Sequence, residues 1–289
     1  MAEKGWRSRW VRTGSFRTHY VEAGNDGPVL VQLHGGGYAQ SAVSANGTII
    51  PTLGEHFRVI APDAVGGYGF TDLVPASRGL QSRVDQLEDF VDTLCLDRFS
   101  IMGNSMGAWQ AARYAILHPE RIERMVLVGS GSIAVAMGLQ RIRLAGNELA
   151  DSYGQGGDRE DMRMRIKAII HRDEMITDAV IDQRLAVANR PGVPEVNKAF
   201  QEANQRLQND PLLKINYDMR ETLPWVTELI PTIFLWGQED HFASPEYGRQ
   251  LEKMLPHVPF HWIPNAGHQV QSDQPELVAG IVTKFLQEA

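Results

Sequence analysis

The strongest chemical signal in the sequence is the pentapeptide Gly103-Asn104-Ser105-Met106-Gly107. It follows an apolar run and precedes a stretch of helical character, which is the context required of a G-x-S-x-G nucleophile elbow. Glycine at both flanks permits a tight turn that a Cβ would obstruct, and this turn presents the Ser105 hydroxyl near a helix N-terminus. A plain Gly/Ser loop is the alternative, and the strand–turn–helix context argues against it. We predict that Ser105 is a nucleophile.

A serine nucleophile needs a general base and a carboxylate that orients the base. Among nine histidines, His268 is the candidate because it follows the apolar run Pro259–Ile263 and precedes a C-terminal helical pattern. Asp240 follows the run Thr232–Trp236 and is the candidate acid, with Glu239 as its competitor. The resulting chain order of serine, acid and histidine is the order of α/β-hydrolases.

A glycine-rich loop, His34-Gly35-Gly36-Gly37, follows another apolar run, Val29–Leu33. Backbone N–H groups of Gly36 and Met106 are predicted to converge on a tetrahedral oxyanion. Each donor of such a hole is typically worth about 3 to 4 kcal/mol in the transition state. A flexible turn is the alternative explanation for the three glycines.

The elements that must position these residues are short apolar runs alternating with helical patterns. The runs lack clean polar alternation, as is typical of strands buried on both faces of a parallel sheet. They comprise Val29–Leu33, Phe57–Ala61, Phe99–Met102, Met125–Gly129, Thr232–Trp236 and Pro259–Ile263. Between two of them, Val84, Leu87, Val91 and Leu94 share one helix face. We predict an α/β fold with a mostly parallel central sheet and helices on both faces.

The alternation stops after Gly131 and strand signals resume at Pro231. We therefore predict a core domain formed by residues 1–131 and 225–289, with a helical cap inserted over residues 132–224. Ligands of open α/β sheets bind at the carboxyl ends of the strands, where the cap is expected to lie. Within the cap, the three glycines of Asp151–Asp158 predict a mobile loop.

Composition limits the possible partners and locations. The 289 residues carry a formal charge of −7, which disfavours nucleic acid as a partner. The lone Cys95 cannot form an intramolecular disulfide or a cysteine zinc site, so a reducing compartment is expected. Without a signal-peptide core or a long apolar run, we expect a cytoplasmic protein with no membrane contact. We expect neither metal nor cofactor; a homodimer or higher homo-oligomer is an open expectation.

With these motifs the chain resembles the α/β-hydrolase superfamily over essentially its whole length. It is most similar to the meta-cleavage product hydrolases, carbon–carbon bond hydrolases of aromatic-ring degradation. The similarity rests on HGGG at 34–37, GNSMG at 103–107, WGQED at 236–240, NAGH at 265–268 and IDQR at 181–184. The resemblance implies substrate contacts from Gly35, Asn46, Asn104, Arg184 and Gln269. Arg184 would bind a carboxylate or dicarbonyl oxygen, and the two asparagines would donate to a dienolate oxygen.

Position 269 departs from the family pattern, because Gln269 stands where the family commonly has tryptophan. The resemblance implies a cofactor-free hydrolase that ketonises a 2-hydroxy-6-oxo-dienoate and then cleaves its carbon–carbon bond. A carboxylesterase or lactonase using the same triad is the alternative, because fold and triad do not fix the bond cleaved. A third hypothesis is a ligand-binding receptor or regulator that keeps the hydrolase scaffold.

Overall fold

One eight-stranded sheet forms the centre of the structure, a computed structural model that describes residues 5–142 and 157–288. The strands are β1 (Arg7–Thr13), β2 (Phe16–Ala23), β3 (Val29–Leu33), β4 (Arg58–Pro62), β5 (Phe99–Asn104), β6 (Ile122–Val128), β7 (Thr232–Gly237) and β8 (Phe260–Ile263). Their order across the sheet is β1-β2-β4-β3-β5-β6-β7-β8. Only β2 runs antiparallel to its neighbours, β1 and β4, and the remaining pairs are parallel. The predicted mostly parallel sheet is confirmed.

Helices cover both faces of this sheet. The described helices are α1 (Ala42–Asn46), α2 (Ile50–Leu53), α3 (Leu80–Thr93), α4 (Met106–Leu117), α5 (Gly131–Ala136), α6 (Arg159–Lys167), α7 (Asp178–Ala188), α8 (Val193–Asn209), α9 (Thr222–Leu229), α10 (Pro245–Met254), α11 (Val270–Asp273) and α12 (Pro275–Gln287). One apolar cluster joins α3, α4, α9 and α10 to the sheet, and another joins α2 and α12 to it. Neighbouring residues of β6 alternate between the clusters, with Leu127 in the first and Val126 in the second. Both faces of the strand are therefore buried, which explains its unbroken apolar sequence.

Each of the six apolar runs is a strand in the structure, and the ends of the predicted and observed strands differ by up to three residues. Strands β1 and β2 were not predicted from the sequence. Strand β1 reads RSRWVRT and is largely exposed at the sheet edge, so its sequence lacks the apolar signal of the buried strands. The predicted helix face at Val84, Leu87 and Val91 is buried in α3.

Between β6 and β7 the described residues form helices and no strand. Helices α6 and α7 pack in a third apolar cluster against Tyr38 and Ala39, in the loop that follows β3. This arrangement places helices over the carboxyl end of a central strand, although the division at 132 and 224 stays a prediction. The predicted loop Asp151–Asp158 falls mainly on residues 151–156, which lie outside the described residues. In the described chain, none of the helices combines the length and apolar character needed to cross a bilayer.

Candidate active site

Ser105 sits at a sharp turn between β5 and α4. Its backbone is left-handed, with φ of 57° and ψ of −117°, which is rare for a residue that has a side chain. The two flanking glycines are required sterically. A Cβ at Gly103 would lie 2.2 Å from the carbonyl oxygen of Gly107, and one at Gly107 would lie 2.6 Å from that of Leu33. The turn therefore stores strain at the residue predicted to react, as nucleophile elbows do.

Asp240 and His268 meet at the ends of β7 and β8. His268 Nδ1 lies 2.9 Å from Asp240 Oδ2, and the acceptor-only carboxylate places the ring proton on Nδ1. The other carboxylate oxygen, Oδ1, accepts the backbone N–H groups of Phe242 at 2.9 Å and Ala243 at 2.7 Å. These donors fix the carboxylate plane, so that Asp240 holds the imidazole in one tautomer with Nε2 free to accept a proton.

The loop that carries His268 is itself held by several contacts. Glu239, the competing acid, accepts the N–H of Ala266 at 3.0 Å and so supports this loop without contacting the imidazole. Gly237 allows the loop to approach β7, because a Cβ there would lie 2.1 Å from the carbonyl oxygen of Gly267. The N–H of Gly267 donates to Asp273 Oδ2 at 2.8 Å. Sequence reasoning did not find Asp273, whose carboxylate has no neighbouring motif to mark it.

The three residues predicted as a triad are all withdrawn from solvent. Ser105 is 8% exposed, His268 4% and Asp240 1%. Nε2 of His268 is buried and has no hydrogen-bond partner in the described chain, so it is available as a proton acceptor. Low polarity around the site strengthens the electrostatic interactions on which proton transfer depends.

A cavity of about 680 Å³ opens above Ser105 and His268. Eight of the ten predicted site residues line it: Gly35, Gly36, Asn104, Ser105, Met106, Arg184, His268 and Gln269. Helix α8 contributes a polar wall, with Lys198, Gln201, Gln205 and Gln208 among its lining residues. The volume is that of a small-molecule site.

The glycine loop lies directly against the elbow. A Cβ at Gly35 would lie 3.3 Å from the Cβ of Ser105, and one at Gly36 would lie 2.3 Å from the sulfur of Met106. Glycine is thus the residue that lets the loop backbone approach the nucleophile. The N–H of Gly37 already donates to Gln40 Oε1 at 3.2 Å. The loop and the elbow are thus in contact, and the oxyanion hole formed by the N–H groups of Gly36 and Met106 stays a prediction.

Arg184 reaches the cavity from α7. It is only 1% exposed, and its Nη1 donates to the carbonyl oxygen of Tyr38 at 3.4 Å. The same Nη1 lies 3.2 Å from where a Gly37 Cβ would be, so the glycine leaves room for the guanidinium. A second arginine, Arg165 of α6, also lines the cavity and stacks over the ring of Tyr38 at 5.2 Å. Arg184 is therefore buried at the cavity and is not a charge on the helix surface.

The two predicted asparagine contacts come out differently in the structure. Asn46 is buried outside the described cavity lining, where its Oδ1 accepts from Gln271 Nε2 at 3.2 Å. Its expected substrate contact is therefore not supported. Asn104 does line the cavity, but its Nδ2 donates to the carbonyl oxygens of His268 at 3.1 Å and Val128 at 3.4 Å. Asn104 therefore supports the histidine loop, and its expected donation to a dienolate stays a prediction.

Two glutamines line the cavity near the glycine loop. Gln269 is buried; its N–H donates to the carbonyl oxygen of Ile169 at 3.0 Å, and its side chain accepts from Ser272. Gln40 was not predicted, yet it is buried in the cavity wall, and its Nε2 has no hydrogen-bond partner among the described residues. Since Gln40 lies outside any recognised motif, only its position in space identifies it.

Another serine, histidine and aspartate contact one another away from the cavity. Ser8 Oγ is 2.7 Å from His19 Nε2, and His19 Nδ1 is 2.7 Å from Asp63 Oδ2. Asp63 also accepts the N–H groups of Ala42 and Phe70, so this carboxylate ties loops to the sheet. None of these residues lines the described cavity. Within residues 5–142 and 157–288, no group of three or more His, Cys, Asp or Glu side chains is arranged to hold a metal ion.

Comparison with known proteins identifies the fold family of the chain. A model of the alpha/beta hydrolase fold family matches residues 28–275. The chain belongs to the α/β-hydrolase fold family.

Individual relatives of this α/β-hydrolase match it over nearly their whole length. It is 27% identical over 286 residues to a 2-hydroxy-6-oxo-6-(2'-aminophenyl)hexa-2,4-dienoic acid hydrolase of Metapseudomonas resinovorans, covering 99% of this chain and 92% of the relative. A 2-hydroxy-6-oxo-2,4-heptadienoate hydrolase of Pseudomonas putida is 28% identical over 281 residues, with 96% and 95% covered. Among solved structures, a serine hydrolase involved in carbazole degradation, the CarC enzyme, superposes with a TM-score of 0.77 at 25% identity, covering 97% of this chain and 98% of that one.

Proposed function

We propose that this α/β-hydrolase cleaves the carbon–carbon bond of a 2-hydroxy-6-oxo-dienoate ring-fission product. Ser105 is the proposed nucleophile or activator of water, His268 the base and Asp240 the residue that orients it. The relatives named above are hydrolases of such dienoates, and their similarity extends along nearly the whole chain. No cofactor is needed for this chemistry, because the substrate supplies its own electron sink.

The reaction follows from the structure of the substrate. Moving the proton of the C2 hydroxyl to C5 gives a 2,6-dioxo-enoate, and His268 Nε2 is the proposed carrier of this proton. The Ser105 hydroxyl, or a water that it activates, then attacks the C6 carbonyl and gives its proton to His268 Nε2. This forms a tetrahedral oxyanion, which the N–H groups of Gly36 and Met106 are proposed to stabilise. When the C5–C6 bond breaks, its electron pair is delocalised through the C3–C4 double bond onto the C2 carbonyl. The proton held by His268 passes to the dienolate and gives a 2-hydroxydienoate. The other product is a carboxylic acid, formed directly if water attacks C6, or by hydrolysis of the acyl-enzyme with water if Ser105 does.

The observation that carries this proposal is the buried guanidinium of Arg184 in the cavity that also holds Ser105 and His268. A buried cation in the same cavity as a serine nucleophile is not required for ester hydrolysis. It suits a substrate with a carboxylate at one end and an oxygen that gains negative charge during ketonisation. The charge and planar fork of arginine match such an oxygen pair.

The proposal is tested with the purified protein on a panel of ring-fission products. These dienoates are coloured, and cleavage of the conjugated system bleaches them. We expect turnover of at least one dienoate with a kcat/KM above that for p-nitrophenyl butyrate. Ester hydrolysis without bleaching of any dienoate would replace the proposal by a carboxylesterase or lactonase activity. Absence of turnover on both would favour a ligand-binding protein on this scaffold. The cytoplasmic location and homo-oligomeric state stay predictions.

A further inference from the structure

Three buried side chains donate hydrogen bonds to carbonyl oxygens of the glycine loop, and we call these three side chains the clamp. Arg83 of α3 donates through Nη1 to the carbonyl oxygen of Gly35 at 3.2 Å, and His34 Nδ1 donates to the same oxygen at 2.8 Å. Tyr68, in the loop after β4, donates its hydroxyl to the carbonyl oxygen of Gly36 at 3.1 Å. All three side chains are almost fully buried. The clamp therefore fixes the backbone of the loop, whose conformation does not depend on its glycines alone.

His34 takes part in this clamp as a neutral ring. Burial, followed by the charge of Arg83, lowers the pKa of His34 to about 4. Its Nε2 accepts the N–H of Ala64 at 3.0 Å, so the single ring proton lies on Nδ1, facing the carbonyl oxygen of Gly35. At neutral pH the positive charge of the clamp thus resides on Arg83.

Holding these carbonyls determines where the adjacent N–H groups point. In a planar trans peptide the C=O and the following N–H point in opposite directions. The described chain has no cis peptide, so fixing the carbonyl of Gly35 also fixes the N–H of Gly36 on the other side. Gly36 lies against Met106, next to the nucleophile. A cation on the carbonyl also polarises the peptide, which makes its N–H a stronger donor in a medium of low polarity.

Helix α8 covers the clamp. The guanidinium of Arg83 stacks over the ring of Tyr68 at 4.3 Å and over that of Phe200, a residue of α8, at 5.1 Å. The neighbouring Gln201 donates to the hydroxyl of Tyr68 at 3.0 Å and also lines the cavity. The helix that forms the polar wall of the cavity thereby contacts the side chains that hold the glycine loop.

We infer that Arg83 and Tyr68 are positioning residues for the N–H of Gly36, which points toward the oxyanion formed at Ser105. Arg83 orients and polarises the peptide of this N–H through the carbonyl of Gly35, and Tyr68 fixes the next peptide through the carbonyl of Gly36, so both peptide planes that flank Gly36 are held. Tyr68 connects the Gly36–Gly37 peptide to α8 through Gln201, so the wall of the substrate cavity and the loop that carries the oxyanion-binding N–H share one hydrogen-bonded support. The inference rests on the proposed role of Ser105 as nucleophile, and it does not depend on which bond is cleaved.

The test compares the parent protein with Tyr68→Phe and Arg83→Met, using p-nitrophenyl butyrate as substrate. The matched control is Tyr114→Phe, because Tyr114 is equally buried in α4 and its hydroxyl has no hydrogen-bond partner in the described chain. Loss of a whole oxyanion donor costs about 10²- to 10³-fold in kcat, so misaiming one should cost less. We expect kcat to fall about 5- to 10-fold in Tyr68→Phe and about 30- to 100-fold in Arg83→Met. KM should change less than about twofold in both, and the control should match the parent.

A second readout separates positioning from a general structural role. The ketone 2,2,2-trifluoroacetophenone adds to a serine hydroxyl: a new bond joins Oγ to the carbonyl carbon, the hydroxyl proton passes to His268, and the carbonyl oxygen becomes an oxyanion. Its Ki should rise by the same factor by which kcat falls, because both depend on the oxyanion-binding N–H groups. Thermal unfolding shows whether each variant is folded, and Tyr68→Phe decides the question if Arg83→Met does not fold.

Parental kcat and Ki in folded Tyr68→Phe would overturn the inference, as would a rise in KM equal to the rise in Ki. Full ester turnover by Ser105→Ala would remove the nucleophile and the inference with it. Ester turnover that depends on Ser105 but is accompanied by no cleavage of dienoates would refute only the proposed carbon–carbon activity. The two proposals therefore fail in distinguishable ways.

Discussion

Replacing Asp240 by asparagine exchanges one oxygen for an amide nitrogen and tests the proposed triad directly. Oδ1 of Asp240 accepts two backbone N–H groups, those of Phe242 and Ala243. An asparagine must keep its oxygen at that position, because an amide nitrogen there would face two donors. Its NH2 group must then point at His268 Nδ1. The ring can accept that bond only by moving its proton to Nε2, which leaves no base for Ser105.

We therefore expect Asp240→Asn to lower kcat by about 10⁴-fold, which is equivalent to about 5.5 kcal/mol of transition-state stabilisation. The same substitution in other Ser–His–Asp triads has an effect of this size, because it leaves the histidine in the wrong tautomer. The control is Glu239→Gln, in which the amide oxygen can still accept the N–H of Ala266. We expect it to keep kcat within about threefold. Steady-state kinetics on a dienoate or an aryl ester measures both variants. Nitrogen-15 chemical shifts of the His268 ring report which nitrogen carries the proton.

The reasoning is refuted if Asp240→Asn retains more than about a tenth of the parental kcat, or if its His268 ring keeps the proton on Nδ1. A larger loss in Glu239→Gln than in Asp240→Asn would move the orienting acid to Glu239. Far-ultraviolet circular dichroism of both variants controls for unfolding, since each substitution nearly preserves side-chain volume.

Four further predictions follow from the site. Ser105→Ala should lower kcat by at least about 10⁴-fold while dienoate binding, measured by equilibrium titration, survives. Arg184→Gln should lower kcat/KM on a dienoate about 30- to 150-fold and leave an aryl ester nearly unaffected, since a charge-assisted bidentate contact is lost; equal losses would indicate a structural role. Because the unfolded chain protonates His34 near its ordinary pKa of 6.5 and the folded chain only near a pKa of about 4, the free energy of unfolding should fall as pH drops across that interval. Urea titrations should show a loss of about 3 kcal/mol that His34→Asn abolishes. The polar wall of α8, with Gln201 and Gln205, should give a dienoate with a carboxylate side group about tenfold higher kcat/KM than one with a phenyl group, and competition assays measure this ratio.

The sequence predicts the main architecture because the relevant signals are local. Six apolar runs mark six strands, and the motifs at 34–37, 103–107, 236–240 and 265–268 place glycines at the ends of four of them. Parallel strands bring their carboxyl ends to one edge of a sheet, so Ser105, Asp240 and His268 are expected together although they are far apart along the chain. Strand β1 escapes prediction because an exposed edge strand needs no apolar pattern. Strand β2 is largely buried, but its sequence FRTHYVEA mixes polar and charged residues with apolar ones and so lacks an unbroken apolar run.

Which atoms meet is decided only by the tertiary structure. Sequence reasoning leaves Asp240 and Glu239 as competitors, and the fold separates them by turning only Asp240 toward the imidazole. It also engages Asn104 with the carbonyl oxygen of His268, 164 residues away.

The clamp on the glycine loop depends on the fold in the same way. Arg83 reaches the loop across 48 residues, and no periodic pattern in the sequence records that contact. Local residue types determine turns, strands and the kind of chemistry, because backbone conformation responds to near neighbours. Hydrogen-bond partners in a buried site depend on how whole elements pack. For that reason the positions of Asn46, Gln40 and Tyr68 emerge only once the chain has folded.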